Sequence, residues 1–147
     1  MRPVVVETRI ERAAGEVFAF LDEVENNPRW LAGMRSCTWT SPPPVRVGST
    51  YRQVARFLGK EIRTSFEVVA HEPGRLVTIA SREGSSFPIT VTRRVEPAGA
   101  RGCRVTEVIE SDPRGFYRVW QPLLRLVVRR RVGRDYRRLK ALLESPV

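Results

Sequence analysis

The sequence predicts an α+β fold in which one long C-terminal helix lies across an antiparallel sheet and grips an interior. Two observations predict it. Residues 112–144 have the pattern of one basic amphipathic helix, and a run of strands precedes them. The first thirty residues add one strand and two short helices. Such a layout typically holds a small apolar ligand, so the fold also bears on function.

Length and composition indicate one domain, residues 1–147, large enough to bury a core or a core with a cavity. No apolar run approaches the ~18–20 residues of a membrane span. The N-terminus does not fit a secretory signal, which predicts a cytoplasmic protein. Cys37 and Cys103 lack metal-site spacing and are expected to be free thiols.

The basic charge is concentrated near the C-terminus. The net charge is +10, and residues 114–140 hold ten basic residues and one acid. A GC-rich coding background explains an arginine excess in general, but a basic face can also attract phosphates, anionic lipid or an acidic protein. We expect at most weak electrostatic contact with a membrane. No specific nucleic acid is expected, because the arginines are not interleaved with exposed aromatic residues.

The N-terminal elements follow from short local patterns. Valine-rich residues 3–11 predict a strand, and apolar residues at helical spacing predict a helix that ends near Asp22. Asn26 or Asn27 is expected to cap a second short helix with Pro28 in its first turn. Residues 36–40 predict a short strand before a proline-rich break.

Residues 50–58 and 61–70 predict a hairpin around Gly59-Lys60, a two-residue turn of type II′. This turn would place Phe57 opposite Ile62. One face of the hairpin then carries apolar and uncharged side chains, and the other carries charges, which fixes the inner side.

Four polar residues fall on this predicted inner face: Tyr51, Gln53, Thr64 and Ser81. A polar group buried without a partner costs about 1–3 kcal/mol. Their positions therefore predict water, mutual hydrogen bonds or a ligand in the interior.

The last hairpin, residues 87–95 and 103–109, contains the sharpest candidate site. Pairing of Val95 with Val105 puts Arg93 opposite Glu107, the only charged residues on the apolar faces of their strands. Because a lone buried charge is very costly, the two are expected to pair. One hypothesis is a structural ion pair, joined by Arg131 or Asp135.

The other hypothesis is an anchor for a ligand. Arg93 would then hold a carboxylate, carbonyl or phenolate, and Glu107 would orient Arg93. In an enzyme, Glu107 would transfer a proton, tuned by its burial against Arg93.

Asp112 is the predicted cap of the long helix, with Pro113 in its first position. Pro122 should kink this helix or mark its true start. The apolar stripe runs through Trp120, Leu123, Leu124, Val127, Val128, Val132, Leu139, Leu142 and Leu143. Five arginines are expected to remain exposed on the other side: Arg129, Arg130, Arg134, Arg137 and Arg138.

Several motifs, in this order and spacing, resemble the START/polyketide-cyclase-like (SRPBCC) superfamily, to which birch-pollen-type allergens also belong. They are Ile10-Glu-Arg-Ala-Ala-Gly-Glu-Val-Phe18, Asp22, Pro28-Arg-Trp30, Glu72-Pro-Gly-Arg-Leu76, Val95-Glu-Pro97 and Asp135 followed by Arg138-Leu-Lys-Ala-Leu-Leu-Glu144. The resemblance implies a helix-grip fold, with a curved seven-stranded antiparallel sheet, two short helices and a long C-terminal helix over a cavity. Members bind lipids, hormones or polyketides, and some catalyse aromatic cyclisation or dehydration. The resemblance carries no universal catalytic motif.

Other chemistry is disfavoured by what the sequence contains. His71 is the single histidine and falls near a strand end, which favours a rim or surface position. No clustered ligands predict a metal, no cofactor is expected, and no glycine-rich phosphate loop or nucleophile elbow is present.

The sequence therefore favours binding or carrying of a small hydrophobic ligand. The alternatives are a cyclase/dehydratase-type enzyme that uses acid–base groups in the cavity, and an interaction module built on the basic helix. A monomer and a homodimer are both compatible with the sequence. The candidate ligand-binding residues are Tyr51, Gln53, Thr64, Phe66, Ile79, Ser81, Ile89, Val91, Arg93, Glu107, Trp120, Leu124 and Val128.

Overall fold

A computed structural model describes residues 3–57, 59–82, 88–111 and 121–145. In chain order the elements are β1 (Val4–Ile10), α1 (Ala14–Asp22), a 3₁₀ helix (Val24–Arg29), β2 (Met34–Trp39), β3 (Thr50–Phe57), β4 (Lys60–Glu72), β5 (Leu76–Ser81), β6 (Ile89–Ala98), β7 (Gly102–Ser111) and α2 (Gln121–Glu144). The predicted α+β helix-grip architecture is confirmed.

The strands form one antiparallel sheet of seven strands in the order β1-β7-β6-β5-β4-β3-β2. Helix α2 packs against the sheet through Tyr136, Leu139 and Leu143, which are buried in the same core as the inner strand residues. The two short helices cover another part of the same core through Val17, Phe18, Leu21 and Val24.

Pairing across the sheet aligns buried apolar residues from five strands in one row. Val4 lies opposite Ile109, which lies opposite Val91; Val91 lies opposite Ile79, and Ile79 opposite Val68. Directly paired residues share a face of a sheet. The sequence-based assignment of the inner face is therefore confirmed along this row of five strands.

The predicted register of the first hairpin is wrong by two residues. Phe57 pairs with Lys60 and Tyr51 with Phe66, so the turn does not consist of Gly59-Lys60. Gly59 precedes Lys60 with φ +78°, a conformation that glycine adopts without steric cost. Because side chains alternate with a period of two residues, this shift leaves the same side chains on the inner face.

A bulge in β4 changes which residues face inward near its end. Val68 pairs with Ile79, but His71 pairs with Val77 because the register shifts between Val68 and Ala70. Strict alternation from Val68 would have turned His71 outward. The extra residue instead directs the single histidine of the chain towards the interior, as bulges often do.

The 3₁₀ helix begins earlier than the sequence predicted. Glu23 is its cap, since its Oε1 accepts a hydrogen bond from the Glu25 backbone N at 3.0 Å. The predicted cap at Asn26 or Asn27 is wrong, because both residues lie inside the helix. Asn27 is buried and its Nδ2 donates to the Cys37 Sγ at 3.7 Å.

Helix α2 matches the predicted stripe with one exception. Leu124, Leu139 and Leu143 are buried and the five predicted arginines are exposed, but Leu123 is 54% exposed. Each helical residue advances about 100°, so the burial of Leu124 turns Leu123 outward. Pro122 lies in the first turn of the described helix. The predicted start at Asp112-Pro113, and Trp120, lie outside the described residues.

A pair of leucines on α2 tests how the helix contributes to stability. Leu139 is fully buried, so Leu139→Ala should lower the free energy of unfolding by about 2–5 kcal/mol through lost burial and a new cavity. Leu126 is 46% exposed, and Leu126→Ala should change it by about 0.5 kcal/mol or less. Urea denaturation measures both, and equal losses would contradict this packing of α2.

Both cysteines are free, as the sequence predicted, and both are buried. Burial raises the pKa of the Cys37 thiol to about 11 and also raises the pKa of Cys103. At pH 8 only about one Cys37 in a thousand would be the reactive thiolate. We therefore expect both thiols to resist alkylation by iodoacetamide in the native protein at pH 8 and to react after unfolding. Rapid labelling of the native protein would contradict this burial.

Candidate ligand-binding site

The paired charges that the sequence predicted lie on two adjacent non-edge strands of the sheet. Arg93 on β6 is directly opposite Glu107 on β7, and its Nε donates to Glu107 Oε1 at 2.7 Å. The two residues are only 7% and 3% exposed. A charge-assisted hydrogen bond between buried groups is strong, and each charge offsets the cost of burying the other.

Two aromatic residues complete this polar cluster. Tyr136 on α2 donates its hydroxyl to Glu107 Oε1 at 2.9 Å. The Trp30 ring packs edge-on against Tyr136 with centroids 5.1 Å apart, and the Arg93 guanidinium lies 5.1 Å from the centre of a Trp30 ring. The cluster therefore ties β6, β7, α2 and the segment after the 3₁₀ helix together.

The expected third partners of this pair, Arg131 and Asp135, make other contacts. Arg131 Nη2 donates to the Ala32 carbonyl at 2.8 Å, and Asp135 Oδ1 accepts from the Ala32 backbone N at 3.0 Å. The residue that reaches Glu107 is Tyr136, one helical position beyond Asp135. No charge pattern in the sequence indicated it, because the contribution is a neutral hydroxyl.

Electrostatics keep Arg93 and Tyr136 each in one protonation state. Burial lowers the pKa of Arg93, but the Glu107 carboxylate more than offsets this and the pKa lies above its ordinary value. Burial, and then Glu107, raise the pKa of Tyr136 well above its ordinary value. Arg93 is thus a permanent cation, and Tyr136 a permanent hydroxyl donor.

A small cavity lies next to this cluster, between the sheet and the short helices. The space open to the centre of a water molecule is about 10 Å³, which suffices for roughly one water. Its polar lining comes from Asp22, Tyr51 and Arg93. The remaining described lining residues are apolar: Leu21, Val24, Trp39, Val45, Val68, Val77, Ile79 and Val91.

Some polar atoms around this interior have no partner among the residues that the structure describes. They are Tyr51 Oη, Trp30 Nε1 and Asn27 Oδ1. Each such atom costs about 1–3 kcal/mol when it is buried without a hydrogen bond. Burial also raises the pKa of Tyr51, so its hydroxyl remains a donor. Tyr51 therefore adds an unused polar group to the cavity beside Arg93.

The bulge in β4 brings His71 to the edge of the same interior. His71 Nε2 lies 3.0 Å from Asp22 Oδ2, and the two side chains are 9% and 18% exposed. The histidine also packs against Phe18. His71 is thus a rim residue, mostly buried beneath α1, and its partner Asp22 lines the cavity.

The structure places the candidate ligand-binding residues in several locations. Tyr51, Ile79, Val91 and Arg93 line the cavity, and Phe66 stacks on Tyr51 with ring centroids 5.3 Å apart. Glu107 lies behind Arg93 and does not line the cavity. Gln53 and Thr64 face each other, half-buried, further along β3 and β4.

The remaining candidates lie elsewhere. Ser81 and Ile89 line a separate open groove, where Ser81 Oγ accepts a hydrogen bond from the Ile89 backbone N at 2.9 Å. Leu124 is buried and Val128 half-buried on α2, away from the lining of the cavity. Trp120 is outside the described residues.

Sequence reasoning missed the half of the cavity wall that the short helices and the segment around Trp39 supply. Alternation along the predicted strands places Val68 and Val77 on the inner face, so the sequence could have indicated these two. Leu21, Asp22, Val24 and Val45 could not, because no periodicity indicates which part of the sheet a short helix covers. Among the described residues, no cluster of three or more His, Cys, Asp or Glu side chains could hold a metal ion.

The fold and the site define a class: a helix-grip protein with a buried charge pair in a largely apolar interior. A family profile described as polyketide cyclase/dehydrase and lipid transport matches residues 1–144. The chain belongs to this family, whose members act on or carry small hydrophobic molecules. The resemblance read from the sequence is thereby confirmed.

Solved structures support the fold at low sequence identity. A protein from Thermus thermophilus is 20% identical with a TM-score of 0.82, covering 97% of each chain. A START superfamily protein from Mycobacterium smegmatis is 11% identical with a TM-score of 0.80, again covering 97% of each chain. An aromatase/cyclase from a Streptomyces species is 14% identical with a TM-score of 0.77, covering 97% of this chain and 93% of the other.

No curated protein matches the chain. None of the helices among the described residues is long and apolar enough to cross a membrane.

Two buried tyrosines test the polar cluster. The Tyr136 hydroxyl is hydrogen-bonded to Glu107, whereas the Tyr51 hydroxyl has no partner among the described residues. Tyr136→Phe should lower the free energy of unfolding by about 1.5–3 kcal/mol, since it removes a hydrogen bond to a buried carboxylate. Tyr51→Phe is the matched control. It removes an unpaired hydroxyl and should leave the free energy of unfolding of the ligand-free protein unchanged or raise it. Urea denaturation of both variants gives the comparison, and a larger loss for Tyr51→Phe would contradict this assignment.

Proposed function

We propose that residues 1–147 form a single domain that binds or carries a small hydrophobic molecule with one polar end. The observation that carries this proposal is the position of Arg93, a permanent cation in the wall of a largely apolar cavity, beside the Tyr51 hydroxyl, which has no partner among the described residues. Family membership supports a hydrophobic ligand, and the anchor supports a polar group on it.

The anchor selects the chemistry of that polar group. A guanidinium binds a carboxylate, a carbonyl or a phenolate, and a tyrosine hydroxyl can donate a second hydrogen bond to the same oxygen. Glu107 would fix the orientation of Arg93 from behind without touching the ligand. The surrounding valine, leucine and isoleucine side chains would hold the apolar body.

The wall opposite the sheet would have to move to admit such a ligand. Ligand pockets typically have volumes of ~300–1,000 Å³, far more than this packed interior offers. Ladder hydrogen bonds hold the strands, whereas α1 and the 3₁₀ helix rest on the sheet mainly through side chains. We propose that α1 and the 3₁₀ helix move away from the sheet when the ligand enters. The Asp22–His71 hydrogen bond is the polar contact that holds α1 to β4.

A second candidate is an enzyme of the cyclase/dehydrase type, favoured by one specific observation. Asp22 lines the cavity and is bonded to His71, so a proton acceptor lies within reach of a bound molecule. The position of Asp22 and His71 suits proton transfer better than that of Glu107, which lies behind Arg93.

Free, buried thiols at Cys37 and Cys103 fit a reducing compartment, and we propose a cytoplasmic location.

Replacement of the anchor tests the function. Arg93→Met should weaken binding of a dansylated fatty acid at least about tenfold, since a charge-assisted hydrogen bond is lost. The protein should remain folded, because the lone Glu107 carboxylate keeps its bond to Tyr136 and can take up a proton. Arg94→Met is the matched control, because Arg94 is the next residue of β6 and is exposed. This variant should bind the probe as tightly as the unchanged protein does. Fluorescence titration measures all three proteins, with circular dichroism to confirm the fold.

Full affinity in Arg93→Met would show that the pair is purely structural. If that variant does not fold, Tyr51→Phe keeps the test intact, since it should weaken binding without loss of stability. Native mass spectrometry of protein purified from its own host would identify a co-purified ligand. Incubation of that compound with the protein separates the two candidate functions, because a carrier returns the compound unchanged, whereas a cyclase changes its connectivity at constant mass and a dehydratase also removes water; mass spectrometry together with NMR of the recovered compound detects both.

A further inference from the structure

A second cavity lies on the outer side of the protein, between α2 and the segment that follows Trp30. This cleft has a volume of about 410 Å³ and is lined by Ala32, Val127, Arg130, Arg131, Arg134, Asp135 and Arg138. We call it the arginine cleft. None of its described lining residues lines the internal cavity. The proposed function therefore leaves it unexplained.

The positive charge of the arginine cleft is not balanced. Arg130, Arg134 and Arg138 follow at steps of four residues, so they lie above one another on the helix surface. Like charges at this spacing repel by a few tenths of a kcal/mol per pair. The described residues provide no carboxylate within ion-pair distance of any arginine in the cleft.

The single acid of the cleft does not neutralise it from outside. Asp135 is 3% exposed and its Oδ1 accepts a hydrogen bond from the Ala32 backbone N. Burial raises the pKa of Asp135, against the effect of the Ala32 hydrogen bond and of Arg131 and Arg138. The carboxylate thus belongs to the floor of the cleft, whereas Arg130, Arg134 and Arg138 are exposed to solvent.

One wall of the cleft is built rigidly. Arg131 Nη2 donates to the carbonyl oxygens of Ala32 at 2.8 Å and Arg56 at 2.9 Å, and its guanidinium lies 5.2 Å from the centre of the Phe57 ring. Gly33 makes this possible: its φ is +77°, and a side chain there would collide with the Arg131 guanidinium. The cleft is therefore a preformed feature of the fold.

An arginine-rich composition by itself does not account for this arrangement. Outside the cleft, Arg9, Arg12, Arg63 and Arg82 pair with carboxylates, whereas other arginines, such as Arg129 and Arg137, have no ion-pair partner among the described residues and lie apart from any cleft. The arginine cleft instead gathers four arginines around one depression that could hold an anion between them.

We infer that the arginine cleft binds a phosphate-bearing group, a phosphomonoester or a diphosphate. Guanidinium groups form paired hydrogen bonds with phosphate oxygens, and several converging guanidinium groups suit a group with more than one negative charge. The group could belong to a free phosphorylated metabolite or to a lipid headgroup, and both present the same chemistry to the cleft.

Isothermal titration calorimetry with inorganic pyrophosphate at about 0.15 M salt tests the site, because general surface charge is screened over about 8 Å there. The unchanged protein should bind one pyrophosphate in a saturable manner. The double variant Arg130→Gln, Arg134→Gln should bind at least about tenfold more weakly, through the loss of two charge-assisted contacts.

The matched control is Arg129→Gln, Arg137→Gln, which removes the same charge from exposed positions of the same helix outside the cleft. It should retain pyrophosphate affinity within about twofold, since screened charges outside the cleft contribute little. Equal losses of pyrophosphate affinity in the two double variants would show that net charge, and not the cleft, determines binding, and would overturn the inference. Arg93→Met should bind pyrophosphate normally, so that failure of the ligand proposal and failure of this one remain distinguishable.

Vesicles of phosphatidylcholine with phosphatidic acid identify the source of the phosphate. Sedimentation of the protein with these vesicles, lost in the Arg130, Arg134 double variant and reversed by pyrophosphate, would assign the cleft to a lipid headgroup. Pyrophosphate binding without vesicle binding would assign it to a free metabolite. If neither pyrophosphate nor the vesicles bind in a way that depends on Arg130 and Arg134, the cleft is not a phosphate site.

Discussion

The hydrogen-bonded charge pair of Arg93 and Glu107 is the constraint on which the rest of this structure depends. Two adjacent non-edge strands each bring one charge into the core, and removal of either would leave the other uncompensated at a cost of about 3–5 kcal/mol. Tyr136 donates a hydrogen bond to Glu107, and the Trp30 ring lies against the Arg93 guanidinium. The register of β6 and β7, the seating of α2 and the position of the segment after the 3₁₀ helix therefore depend on one polar cluster.

The same cluster explains why the interior is both well packed and prepared for a ligand. Apolar side chains fill the space between sheet and helices almost completely, yet Tyr51 Oη and Trp30 Nε1 have no partner among the described residues around Arg93. Buried polar atoms without a hydrogen-bond partner lower stability unless something binds them. A ligand with one polar end would recover that loss, and its binding free energy could in turn open the wall formed by α1 and the 3₁₀ helix.

Charge is arranged differently inside and outside the protein. Inside, the Arg93 cation is matched by the Glu107 anion and held in place by neutral partners, and Asp22 and His71 form a second polar contact at the rim. Outside, Arg130, Arg134 and Arg138 project from α2 without acidic partners among the described residues. Family membership bears on the first arrangement, since the fold provides the interior, but it does not address the second. The two cavities thus call for separate experiments.

The sequence by itself determined the order of the elements, the inner face of the strands, and the pairing of Arg93 with Glu107, because alternation along strands and helical periodicity are local properties. A register error of two residues at Gly59 did not affect the face assignment for the same reason. Tertiary structure alone decided that the bulge in β4 turns His71 inward, that Tyr136 rather than Asp135 reaches Glu107, and that Asp22 and Val45 close the cavity. Each of these depends on how distant segments meet in space, where a single extra residue or a rotation of about 100° changes which side chain arrives.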